Sequence, residues 1–167
     1  GGDGQAVMAF RQQDGELVWS AGDFLIAPSS PILVELDGRT QLVVVGGQFV
    51  NGLDPDTGQI LWNHPNDPQG DMNNSTAVWG ADGRLFVSSS YDGGSRLLQL
   101  SAGDDGTDVD ELWFSRRLRI MIGNAVRVGE MLLGTSGDFG PQIITALDVP
   151  TGEPLWAHRG FNRAFFL

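Results

Sequence analysis

Gly52-Leu53-Asp54-Pro55-Asp56-Thr57-Gly58-Gln59-Ile60-Leu61-Trp62 is the stretch on which the fold turns. It follows an alternating run, Phe49-Val50-Asn51-Gly52-Leu53, of the kind that forms a half-buried strand. Asp54-Pro55-Asp56-Thr57-Gly58 is turn chemistry. Proline presets φ at the second position of a type I turn, and Gly58 supplies the positive φ of a bulge. Asp54 and Thr57 can bond nearby backbone amides. A second strand then carries Ile60-Leu61-Trp62, and a large ring at a fixed offset from the turn can reach a neighbouring sheet. Burying one such ring contributes about 2–3 kcal/mol.

The pattern recurs without gaps at Ala9–Trp19 and Ala146–Trp156. A looser copy runs from Gln99-Leu100-Ser101 to Glu111-Leu112-Trp113, with four extra residues expected in an Asp/Gly-rich turn. Trp19, Trp62, Trp113 and Trp156 are therefore separated by 43, 51 and 43 residues. Repeats of this length built from short strands signal propeller blades. Between the motifs stand further strand segments: Ser30–Val34, Thr76–Trp79 and Asn124–Arg127, then Gln41–Val45, Arg84–Ser88 and Glu130–Gly134. Asp37-Gly38, Asp82-Gly83 and Gly129-Glu130 join them as hairpin turns. Each repeat is four strands, A to D, with the motif joining C to D. No stretch keeps a helical period. The expected fold is all-β: a β-propeller segment of about four blades, part of a seven- or eight-bladed ring. Its divisions are a remnant at 1–23, blades at 24–67, 68–117 and 118–160, and the start of another at 161–167. Both ends read as cuts through a longer chain.

Composition agrees. The 167 residues are 41% hydrophobic and 19% charged, with 24 glycines and 8 prolines, which suits a globular all-β chain rich in turns. A formal charge of −11 repels phosphate backbones and anionic bilayers, so nucleic acid is not an expected partner. No apolar run reaches the roughly 18–20 residues that span a bilayer as a helix. There is no cysteine to form a disulfide, a thiolate metal site or a thiol nucleophile.

The motif resembles the tryptophan-docking repeat Ala-x-Asp-x-x-Thr-Gly-x-x-x-Trp of the pyrroloquinoline-quinone-like (PQQ-like) propellers. Thr57/Gly58/Trp62 and Thr151/Gly152/Trp156 match it best, Asp14 replaces Thr in the first copy, and the Trp113 copy breaks the turn. That family includes quinoprotein dehydrogenases, the outer-membrane assembly lipoprotein of the β-barrel assembly machine, and uncharacterised envelope or secreted proteins. The resemblance implies a periplasmic or secreted location and a structural role for Trp19, Gly58, Trp62, Trp113, Gly152 and Trp156. It makes a quinone-dependent dehydrogenase one alternative, with the quinone and Ca²⁺ as its cofactors; otherwise none is expected. Adjacent cysteines that flank the quinone in many such enzymes are missing here.

Alternating strand directions put the D-to-A and B-to-C loops on one face and the tight A-to-B and C-to-D turns on the other. The first face receives His64–Asn74, Ser88–Ser95 and Gly134–Pro141. Binding residues collect on such loops. The candidates are Asn74, Tyr91, Asp92, Asp138 and Phe139, together with Arg117 and Arg119 of the one basic cluster, Arg116/Arg117/Arg119. Ordinary roles compete: Asp92 and Asp138 beside glycine as turn caps, Tyr91 and Phe139 as rim packing, the arginines as partners of the chain's own carboxylates. His64 and His158 occupy equivalent positions about two blades apart and cannot share a metal. No nucleophile elbow or phosphate loop is present. The functional expectation is a non-catalytic scaffold for protein–protein interaction or envelope assembly. Alternatives are a quinone dehydrogenase fragment and a glycan-binding module, the last resting on Tyr91, Trp79 and the Asp/Asn loops. The partner protein is unknown, and the ring is to be completed by further blades or by a second copy.

Overall fold

A computed structural model describes residues 2–66, 73–104, 106–137, 141–161 and 164–166. Every regular element among them is a strand. β1 (Val7–Phe10) and β2 (Leu17–Ala21) form a two-stranded sheet. Three antiparallel four-stranded sheets follow. One is β3 (Ile32–Leu36), β4 (Arg39–Val45), β5 (Phe49–Leu53) and β6 (Ile60–Pro65). Another is β7 (Val78–Trp79), β8 (Arg84–Ser89), β9 (Gly94–Gly103) and β10 (Gly106–Ser115). The last is β11 (Val126–Val128), β12 (Met131–Ser136), β13 (Gln142–Asp148) and β14 (Pro154–Phe161). In each, sequence neighbours pair in order, the meander expected of a propeller blade. Residues 164–166, expected to open a further strand A, are in no strand; Asn124 holds the Phe166 backbone at both its carbonyl and its amide (2.8 and 3.1 Å). Arg163 and Leu167 of that expected strand lie outside the described residues.

The core lies between sheets, and the two-residue period of a strand builds it. In the sheet β7–β10, Leu85, Val87, Leu98 and Leu100 pack with Val34, Val43, Val45 and Val50 of the sheet before. Phe86 and Leu97, on the opposite face, pack with Leu132, Leu147 and Val149 of the sheet after. A blade covered on both faces reads as a continuous apolar run, as Leu85-Phe86-Val87 does.

The four tryptophans share one register. Trp19 lies opposite Ala9, Trp62 opposite Gly52, Trp113 opposite Leu97 and Trp156 opposite Ala146, each beside a β-bulge. Their surroundings differ, and the differences follow the sequence. Trp19 donates its indole N–H to the Pro55 carbonyl at 3.0 Å, and Trp113 donates to the Val149 carbonyl at 2.8 Å. Both acceptors stand three residues before the turn glycine of the next blade. Gly58 and Gly152 adopt φ of 76° and 70°. A Cβ on either would fall 2.6 Å from the ring of Trp19 or Trp113, so glycine is required by conformation and by close approach together.

Trp62 docks otherwise. A Cβ on Gly52 would fall 2.0 Å from its Nε1, so the ring folds over its own blade, which only glycine permits. Its N–H meets Gln41 Oε1 at 2.7 Å, and Gln41 Nε2 passes the contact to Thr107 Oγ1 of the next blade at 2.8 Å. The reason is the β9–β10 hairpin. Leu98 pairs with Glu111 as Leu53 pairs with Ile60, so this hairpin carries six residues more than the motif, not four. The ladder runs on to Gly103↔Gly106, and no motif turn is left to receive an indole. Trp156 keeps the register but is 40% exposed and packs on the His158 ring at 5.5 Å.

Candidate functional site

Buried polar side chains fasten the D-to-A segments to the B-to-C turns on the long-loop face. Asn73 donates to the carbonyls of Gly46 and Gly47 at 2.7 and 3.0 Å, tying the entry of one blade to the turn of the blade before. Ser88 Oγ accepts from the Ile120 amide at 3.0 Å, and Ser95 Oγ donates to the Leu118 carbonyl at 2.7 Å. Each such bond satisfies a backbone group that burial would otherwise leave unpaired. Ser88–Ser95, read from sequence as a binding loop, is thus mostly structural. β8 extends to Ser89, and Ser88, Ser89, Ser90 and Ser95 are all buried.

The Ser88 and Ser95 bonds tie the turn between β8 and β9 to the segment from β10 to β11, and these two stretches carry four of the sequence candidates. Tyr91 and Asp92 sit on the turn between β8 and β9, with Tyr91 at φ 50°. Arg119, on the segment from β10 to β11, donates Nη1 to the Tyr91 carbonyl at 3.1 Å. Arg117 is exposed on the same segment, and Arg116 lies over the Phe114 ring at 5.7 Å. Asp138 and Phe139 lie outside the described residues. Asn74 is elsewhere, in a cavity of about 460 Å³ lined by Pro28, Ser30, Asn74, Thr76, Ile122, Gly123, Asn124 and Phe165.

The lining of that cavity is periodic. Ser30, Thr76 and Asn124 stand two residues before β3, β7 and β11; Pro28, Asn74 and Ile122 stand four before. Three successive blades therefore present equivalent positions at the mouth of the innermost strands. Sequence reading found only Asn74 among them. The signal was available as a constant offset from each strand A, but strands of two to five residues give that offset little definition.

Charge elsewhere is paired across blade junctions. On the tight-turn face Arg127 makes a two-pronged contact with Asp82 at 2.7 and 2.8 Å and reaches Glu130 at 3.3 Å. The Arg127 hydrogen bonds hold the Asp82 carboxyl below its ordinary range. At the outer strands His64 Nε2 lies 3.7 Å from Glu111, which also pairs with Arg96 at 2.6 Å. Burial lowers the His64 pKa, against a smaller opposing pull from Glu111. Among the described residues no three of His, Cys, Asp or Glu gather where they could hold a metal ion. Nor is any helix there long and apolar enough to cross a membrane.

Four-stranded meanders stacked face to face, with Trp19 and Trp113 each docked on the next blade's turn, define a segment of a PQQ-like β-propeller. The family model described as outer membrane protein assembly factor BamB matches residues 1–158, and the chain belongs to that family. A comparison with curated proteins found no match. Among solved structures, the quinohemoprotein alcohol dehydrogenase of Comamonas testosteroni is similar in fold. The TM-score is 0.52 and the identity 22%, over 81% of this chain. The chain spans about a fifth (21%) of that dehydrogenase's length.

Proposed function

We propose that this chain is part of a non-catalytic propeller scaffold of the bacterial envelope, periplasmic or secreted, whose long-loop face engages a protein partner and which works without a cofactor. One observation supports this above the others. Ser88 and Ser95 are buried and bonded to the Ile120 amide and the Leu118 carbonyl, and Arg119 donates to the Tyr91 carbonyl, so the turn carrying Tyr91 and Asp92 is tied to the segment carrying Arg117 and Arg119. A fixed surface loses little entropy on association, which favours specific docking. Membership in a family described by an outer-membrane assembly factor supports the same reading. Exposed arginine beside a tyrosine is a composition enriched at protein interfaces.

Site-specific photocrosslinking in the native envelope tests it. A crosslinker at Arg117 or Asp92 is expected to trap one discrete partner, and a crosslinker at Asp37 on the tight-turn face to trap none. Equal trapping from both faces, or none from Arg117 and Asp92, would overturn the assignment.

A further inference from the structure

The cavity before β3, β7 and β11 admits a test of ligand chemistry. Its described lining is neutral throughout: two hydroxyls, two carboxamides, and the apolar surfaces of Pro28, Ile122, Gly123 and Phe165. Pyrroloquinoline quinone, the cofactor that the family's name carries, bears three carboxyl groups. Enclosing carboxylates demands cations or several charge-assisted donors. Among the described residues no basic group lines the cavity, and two arginines of the flanking segments have other partners; Arg163 lies outside the described residues. Arg119 donates to the Tyr91 carbonyl, and Arg127 binds Asp82 and Glu130 on the opposite face. The described residues that line the cavity do not fit a tricarboxylate.

They fit a different ligand. Ser30 and Thr76 each offer a hydroxyl that donates and accepts, at the same offset in successive blades. Asn124, at that offset in the third blade, is clamped on the Phe166 backbone and so holds the Phe165 segment at the rim. Paired hydroxyls beside an aromatic ring are groups that recognise an uncharged, hydroxyl-rich molecule, because each ligand hydroxyl needs both a donor and an acceptor while its C–H face packs on apolar surface. We propose that this cavity binds a neutral saccharide unit and excludes the quinone. This inference stands apart from the protein-partner reading, which rests on Tyr91, Asp92, Arg117 and Arg119.

The test is amide NMR titration of the full chain with three probes: maltotriose, a galacturonate trimer of similar size, and pyrroloquinoline quinone with Ca²⁺. Maltotriose is expected to shift the amides of Ser30, Thr76, Gly123 and Asn124 saturably, and the two anionic probes to leave them unmoved. Removing both hydroxyls with Ser30→Ala and Thr76→Val should weaken maltotriose about tenfold while the rest of the spectrum stays in place. Either substitution alone, tested in parallel, should give an intermediate loss. No shift with maltotriose, a shift confined to other residues, unchanged affinity in the double variant, or saturable quinone binding at these amides would each overturn the proposal.

Discussion

Replacing Gly152 by alanine isolates the contact that joins blades. Gly152 has φ 70°, and its added Cβ would fall 2.6 Å from Trp113. Gly129 in the same sheet is the control: its φ is 59°, and nothing lies within 4 Å of a Cβ placed there. Both substitutions carry the left-handed penalty of an L-residue, about 1–2 kcal/mol. Only Gly152→Ala must also displace the indole. That adds about 1–3 kcal/mol of overpacking, and loss of the 2.8 Å Trp113–Val149 hydrogen bond adds about 1 kcal/mol. Gly152→Ala should therefore be less stable than Gly129→Ala by about 2–4 kcal/mol. Urea unfolding followed by circular dichroism and tryptophan emission measures the difference directly, and thermal melting should show a gap of roughly 4–16 °C. Equal stabilities for the two variants would refute the idea that indole docking, rather than turn conformation alone, makes glycine obligatory.

Gln41→Leu strands the buried Trp62 N–H and should cost about 1–3 kcal/mol, whereas adding Trp62→Phe to it should recover part of that loss in a double-mutant cycle read by urea midpoints. Hydrogen bonds from Arg127 hold the folded Asp82 carboxyl below its ordinary 3.8, so its contribution is complete above about pH 4 and fades as pH falls further. Asp82→Asn should accordingly be less stable than the parent at pH 6, with the gap closing toward pH 2 and shrinking in high salt. His64 has its folded pKa lowered from 6.5 by burial, so the unfolded chain binds the proton first and stability should decline as pH drops below about 6.5. His64→Gln should flatten that decline in melts taken between pH 7 and pH 5.

The blades were legible because three motif copies share one register, and the turn residues name their own geometry. The Trp113 copy shows where such reading stops. Side chains two residues apart on a strand point the same way, so Leu98 and Leu100 are interchangeable in pattern, and only the pairing Leu98↔Glu111 fixes which one corresponds to Leu53. The five rungs beyond that pair, from Gln99↔Asp110 to Gly103↔Gly106, leave no motif turn for Trp62, which docks through Gln41 instead. Gly52 in place of the Ala9 and Ala146 of the other copies was the visible clue. The candidate face followed from strand alternation alone. Burial within it did not, because serines 88 to 90 look like loop polarity in sequence yet are buried. Pro28, Ser30 and Thr76 carry no chemistry that stands out until three blades set them in phase.

Nuclear Overhauser contacts between indole rings and turn glycines measure blade docking most directly. The account predicts contacts from Trp19 to Gly58 and from Trp113 to Gly152, with Trp62 instead touching Gly52 of its own blade. Contacts from Trp19 and Trp113 to their own blades alone, or from Trp62 to the Gly103–Gly106 turn, would contradict it.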